Sequence, residues 1–396
     1  MKIHPANINE SEGHFTLTYR FESATRPDLN DALWFRVPAR FRDWVSAGPE
    51  AAVASLVMLA MALGERIEVA EPMSAMTHYG ISQCVDFFHL WLPGKLKRID
   101  IVAPAYTGAA ADAPVPHAVV SCFSGGVDSF HTVYDHLEGR AANPEYALTH
   151  LFFAHGFDIP VQLPVYEDIA AECETLAAGW NLGLVRLATN VRHLLDPHVP
   201  WVTSHGTVLG SSALLLAGGI RAFVIPSTNR HSRLFAPCGS NPVTDPMLGT
   251  PSMQIVHYGS HRSRIEKIRD IAHRSEAQQY LRVCWQNAAG VRNCGACAKC
   301  LKVMMPLALE GMLERFTGFP PLPDWDRIDP ACFAPLDLSK YADEPSYAGE
   351  LLELALARGR SDVEAILRRA ESAPAHRSRG WPGRIRDMLG RRSGPA

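Results

Sequence analysis

A chain of 396 residues, 47% hydrophobic and 20% charged with a formal net charge of −3, has the balance of a soluble globular protein with two domains or one elaborated domain. That charge gives no global attraction to nucleic acid, which disfavours nucleic acid as a partner without excluding it. Residues 1–10 lack the apolar core of a signal peptide. The longest apolar runs, 51–63 and 213–226, are too short or too interrupted by Gly218, Gly219 and Arg221 to span a bilayer, so no membrane is expected and the cytoplasm is the expected compartment.

Along the chain, residues 14–20, 32–37 and 98–102 alternate as strands do, and 49–63 predicts a helix with so little polar surface that it must be buried. An α+β domain is expected over 1–115, with the Ala-, Pro- and Gly-rich stretch 103–116 as a linker. From His117 the pattern becomes strand, turn, helix, repeated: strands at 119–123, 148–154, 184–188 and 222–225, helices at 129–137, 165–180 and 208–216. Short apolar runs alternating with amphipathic segments predict an α/β fold, a parallel doubly wound sheet over 116–310. Ligands of such sheets sit beyond the carboxyl ends of the strands. After Cys300 the chain reads mainly helical, with a helix at 347–358. Residues 311–396 are read as a helical extension ending in a basic tail from Arg368 to Arg392, which is either a solvated flexible terminus or an RNA-binding arm.

The first strand of the repeat runs into Ser124-Gly125-Gly126-Val127-Asp128-Ser129. Two adjacent glycines let the backbone turn several N–H groups toward one point, and the following helix adds its positive end, an arrangement suited to pyrophosphate. A Walker A loop is excluded, because Val127 stands where its lysine would be. Asp128 amid phosphate donors implies Mg2+ between them. A plain glycine turn with an Asp helix cap is the alternative.

Ser-Gly-Gly-x-Asp-Ser after a strand resembles the PP-loop of the N-type ATP pyrophosphatases, the adenine nucleotide alpha hydrolase superfamily, whose sheet is of the HUP type. The resemblance implies that ATP is cleaved between its α and β phosphates, so that a substrate oxygen is adenylated and then displaced by a nitrogen or sulfur nucleophile.

Of nine cysteines, four crowd together as Cys284-x9-Cys294-x2-Cys297-x2-Cys300, a spacing that lets a short loop bind one tetrahedral Zn2+. An iron–sulfur cluster and redox-active or sulfur-carrying cysteines are the alternatives. The remaining cysteines read as small apolar residues, with Cys238 the exception to watch. A PP-loop followed by such a cluster resembles the 7-cyano-7-deazaguanine synthase family over roughly 119–305. Carried over, Ser124, Gly125, Gly126, Asp128 and Ser129 hold ATP phosphates and magnesium, and the four cysteines hold zinc. Residues 1–115 have no counterpart in that family. Its Tyr-Pro-Asp-Cys-Arg type of substrate stretch is replaced by Phe235-Ala-Pro-Cys-Gly-Ser-Asn-Pro-Val-Thr-Asp-Pro246. The resemblance therefore implies the ATP chemistry and leaves the substrate open.

Further candidates follow from strand ends and polar loops. His155 and the segment ending at Arg230 should line the cleft. His205, in a Ser-His-Gly run opening a helix, offers a base or phosphate donor. Gly239–Pro246, which includes Ser240, is dense in hydrogen-bonding groups that could clamp a substrate, with Asp245 able to hold an amine or purine N–H, although ordinary turn chemistry accounts for the same residues. Arg264 and Lys267, on a helix starting near His261, would stabilise leaving pyrophosphate if they face the cleft. The expected function is ATP-dependent carbon–nitrogen ligation: a small-molecule carbonyl or carboxylate oxygen is adenylated, and ammonia or an amine displaces AMP. A sulfur transferase acting on tRNA or a small molecule and a nucleotide-binding subunit of a larger assembly are the rival readings, and homodimerisation is compatible with all three.

Overall fold

The structure, a computed structural model, describes residues 1–108, 116–139, 143–234, 237–287, 290–324, 328, 332–333 and 347–372. Part of the expected linker, Phe235 and Ala236 of the expected substrate stretch, and the basic tail after Ser372 lie outside the described residues. The chain divides into two compact units, residues 1–267 and residues 268–396, so the boundary expected near 115 falls inside the first of them.

In residues 1–267 the elements run β1 (Lys2–Ile3), β2 (Asn7–Ser11), β3 (His14–Glu22), β4 (Asp31–Pro38), α1 (Glu50–Leu63), β5 (Ile67–Val69), β6 (Met73–Ser74), α2 (Ala75–Trp91), β7 (Ile101–Val102) and β8 (Tyr106–Thr107). The repeat follows: β9 (Ala118–Cys122), α3 (Val127–Leu137), β10 (His150–His155), α4 (Val165–Gly179), β11 (Gly183–Thr189), α5 (Val191–Leu195), α6 (Trp201–Leu215), β12 (Ile220–Pro226) and β13 (Gln254–Tyr258), and α7 (Arg264–Ile271) begins in this unit and runs across its end. β6 and β8 form a small separate ladder.

The remaining strands build one sheet in the order β13-β12-β9-β10-β11-β4-β3-β1-β5-β7, with β2 on β3. From β13 to β11 all neighbours are parallel, as the apolar-run pattern predicts. β4 then pairs antiparallel with β11, through Arg36 and Phe35 opposite Ala188 and Thr189, and β3 pairs antiparallel with β4. Asn190 extends that junction with its side chain: its Oδ1 accepts from Trp34 N at 2.9 Å and its Nδ2 donates to Ala32 O at 2.8 Å.

The parallel strands are apolar nearly throughout because both faces are covered. Val120, Phe152 and Phe223 point into a core shared with α1 and α6. Val119, Ala222 and Val224 point the other way, with Tyr258 packed against them. The α-helix at 50–63 is buried on all sides from Ala51 to Met61, as a helix without a polar face must be.

Among the elements not foreseen are α2, whose Gly80 interrupts any helical reading, and β13, whose mixed composition hides a strand. Gly80 is required by contact: a Cβ there would lie 1.7 Å from the Met247 carbonyl oxygen. Thr77 Oγ1 donates to Gly249 O at 3.2 Å on the same helix face. On the other side, a Cβ on Gly206 of α6 would lie 1.9 Å from Gly239 O. The loop 239–249 is thus pressed between two helices through glycines. Gly80→Ala is expected to destabilise residues 1–267 by roughly 1–3 kcal/mol, read as a lowered urea midpoint.

Residues 268–396 contain α8 (Ser275–Tyr280), α9 (Ala298–Leu309), α10 (Tyr347–Ala357) and α11 (Ser361–Ser372). Among the described residues no helix is long and apolar enough to cross a membrane.

Candidate functional site

The turn after β9 is built as its glycines predict. Gly125 takes φ +73°, in the left-handed region, and Gly126, which has no side chain to make a cap hydrogen bond, holds the N-cap position of α3. Ser124 is exposed at the turn and Val127 is fully buried beneath it. The Ser129 hydroxyl donates back to Gly126 O at 2.9 Å, so it braces the turn itself.

Asp128 carries the electrostatics. Its Oδ2 accepts from Arg264 Nη1 at 2.6 Å, and its Oδ1 lies 3.4 Å from Lys267 Nζ. Lys267 is only 1% exposed and also donates to Ser227 O at 2.5 Å and to Ser227 Oγ at 2.9 Å, at the carboxyl end of β12. Burial alone would raise the Asp128 pKa, but the two cations overcome it and hold the carboxyl below its ordinary value. Burial lowers the Lys267 pKa, with Asp128 opposing it.

The start of α7 fixes both cations. Ser263 N donates to Glu266 Oε2 at 2.6 Å and Glu266 N to Ser263 Oγ at 3.2 Å, a reciprocal capping box. His261 and Arg262 precede this helix, which begins at Arg264 and not at His261 as the sequence suggested. Arg230 is held by Glu266, at 3.0 Å.

The other polar candidates gather around the 239–249 loop. Asp245 is fully buried: its Oδ2 accepts from Ser240 Oγ at 2.6 Å and lies 2.8 Å from His257 Nδ1, and its Oδ1 accepts from Asn241 N at 3.3 Å. These bonds commit Asp245 and Ser240 to shaping the loop. His205 lies in the second turn of α6, which starts at Trp201, four residues earlier than its Ser-His-Gly run implied.

Cys238 stands beside His205. Burial would raise the Cys238 thiol, but its hydrogen bond to His205 holds it below its ordinary value. The same contact raises His205 against the effect of burial. Burial pushes up the thiol of Cys122, the last residue of β9, and Asp245 adds to it. His155, at the end of β10, stacks on Tyr166 with ring centroids 4.0 Å apart, and its Nε2 lies 3.0 Å from Pro160 O. Burial lowers its pKa.

In residues 268–396 the four cysteine sulfurs lie within 4.8 Å of one another. Cys284 Sγ is 4.0 Å from Cys297 Sγ, and Cys294 Sγ is 3.9 Å from Cys300 Sγ. Two sulfurs about 2.3 Å from one tetrahedral Zn2+ stand about 3.8 Å apart, so the quartet can hold a zinc ion. Gly295, at φ +69°, makes the turn between Cys294 and Cys297, whose sulfur caps α9 by accepting from Cys300 N.

Asn293 holds this loop in shape, a role that no sequence motif marks. It is 1% exposed. Its Oδ1 accepts from Val283 N at 2.8 Å and Cys284 N at 3.2 Å, and its Nδ2 donates to Leu281 O at 2.9 Å and Gly318 O at 3.1 Å. Asn293→Ala leaves four buried backbone groups without it, at a cost on the order of 3 kcal/mol. A lowered melting temperature and weaker zinc retention in chelator competition are the expected readouts.

Compared with protein-family models, with curated proteins and with solved structures, the chain matches none.

Proposed function

We propose that this chain is an ATP-dependent ligase of the PP-loop type: it adenylates a carbonyl or carboxylate oxygen of a small molecule, releases pyrophosphate, and lets ammonia or an amine displace AMP. The observation that carries the reading is the Asp128–Arg264–Lys267 cluster at the phosphate turn, on the carboxyl side of parallel strands.

The N–H groups of the first turn of α3 and the Ser124 hydroxyl bind phosphate oxygens. Asp128 offers one carboxylate to a magnesium ion carried on the triphosphate, the usual share a protein gives that ion. Arg264 and Lys267, already positioned by the capping box and Ser227, neutralise charge as the α–β bond breaks. The substrate oxygen attacks the α-phosphorus and the bridging oxygen leaves with pyrophosphate. The nitrogen nucleophile then attacks the activated carbon and AMP departs. Zn2+ on the four cysteines plays a structural part, since four protein ligands leave no position open.

The test is incubation with ATP, magnesium and candidate carboxylic acids, with products separated by mass. AMP and pyrophosphate in equal amounts are expected; ADP without AMP would overturn the reading. A second reading, sulfur transfer, is favoured by one observation, the Cys238–His205 pair, whose thiol is held toward the thiolate. Unchanged turnover in Cys238→Ser would remove it.

A further inference from the structure

Spacing along α3 places Asp128, His131 and Asp135, three and four residues apart, on one stripe of the helix. Two of these side chains are buried: His131 is 1% exposed and Asp135 4%. His261 approaches from the turn after β13, where Gly259 at φ +96° reverses the backbone. The proposed ATP chemistry uses none of His131, Asp135 and His261.

The donor atoms of the three residues all lie within 4.8 Å of one another. His131 Nε2 is 3.5 Å from Asp135 Oδ2. Nitrogen and oxygen ligands about 2.1 Å from one tetrahedral ion stand about 3.4 Å apart, so this pair is already spaced as two ligands of one metal. The Tyr258 hydroxyl donates to Asp135 Oδ2 at 3.3 Å, the kind of outer contact that orients a ligating carboxylate. His261 is exposed, which leaves an entry path and an open coordination position on its side.

We propose that His131, Asp135 and His261 form a second metal site, separate from the four cysteines, that takes a divalent ion of the zinc type. Two imidazoles and one carboxylate are the donors such ions prefer, whereas Mg2+ and Ca2+ prefer oxygen alone. One turn of helix, about 5 Å, separates the site from Asp128, so the ion adds positive charge beside the phosphate turn.

The experiment is metal loading of the full chain without nucleotide, and its outcome does not depend on the ATP reading. The protein is dialysed against micromolar free Zn2+ and its metal content measured, for wild type and for His261→Gln. The exposed His261 makes that variant safe for folding. Co2+ loading provides the control, since cysteine-bound cobalt gives a thiolate charge-transfer band that both proteins should share. Two zinc ions per wild-type chain and one in His261→Gln, with that band unchanged, are expected. One ion in the wild type, or two in His261→Gln, would overturn the proposal.

Discussion

Asp128→Asn is expected to lower ATP-dependent pyrophosphate release by on the order of 10²–10³-fold and to destabilise the fold together with it. The substitution keeps the shape of the side chain and removes its charge. Lys267 is then left buried without its Asp128 partner, repelled by Arg264 and with Asp135 as a weaker remaining negative charge. Breaking a buried pair from one side costs roughly 3–5 kcal/mol, because the remaining charge is uncompensated. A double variant, Asp128→Asn with Lys267→Met, should recover stability without recovering activity. Denaturant midpoints and product assays on the two variants separate these effects.

The same pair sets an acid limit. The Asp128 pKa is held below its unfolded value, so its contribution is fully present above the ordinary aspartate range near pH 4. It is lost as the pH falls through the lower folded value. Acid titration should therefore show Asp128→Asn losing less stability below about pH 4 than the wild type does.

Removal of metal from the four cysteines has the second large expected effect. Zinc on small cysteine sites contributes about 10–16 kcal/mol of apparent binding energy, as much as the whole stability of an ordinary domain. Chelation should abolish amide protection around Cys284, Asn293 and Cys300, while the strands β9, β10 and β12 keep theirs. Hydrogen exchange followed by mass spectrometry reads both regions at once. Unchanged protection after metal loss would mean that the hydrogen bonds of Asn293 hold the loop unaided.

How much of this was legible follows from what each signal depends on. The parallel strands β9 to β12 were readable because strands buried on both faces are apolar runs. The edge strand β13, Gln254–Tyr258, is only partly buried, and its Gln, His and Tyr broke that signal. α2 was hidden by Gly80, which is a helix breaker locally and a necessity only against Met247 O, a contact made 167 residues away in the chain. The glycine turn at 124–129 and the cysteine quartet are local patterns, so the sequence displays them whole. The partners that complete them are distant: Arg264 and Lys267 lie more than a hundred residues beyond Asp128, and His257 reaches Asp245 from another strand. Residue type nominated the two cations, but only the fold brings them to Asp128.

The junction of β4 with β11, tightened by the Asn190 side chain, bears on what the first hundred residues do. Without β4, the end of β11 at Ala188 and Thr189 would lose its strand partner and lengthen the open margin through which chains stack into aggregates. The N-terminal region thus covers the end of that edge as well as clamping the 239–249 loop, and a chain beginning at residue 116 would carry a more open, self-adhesive margin.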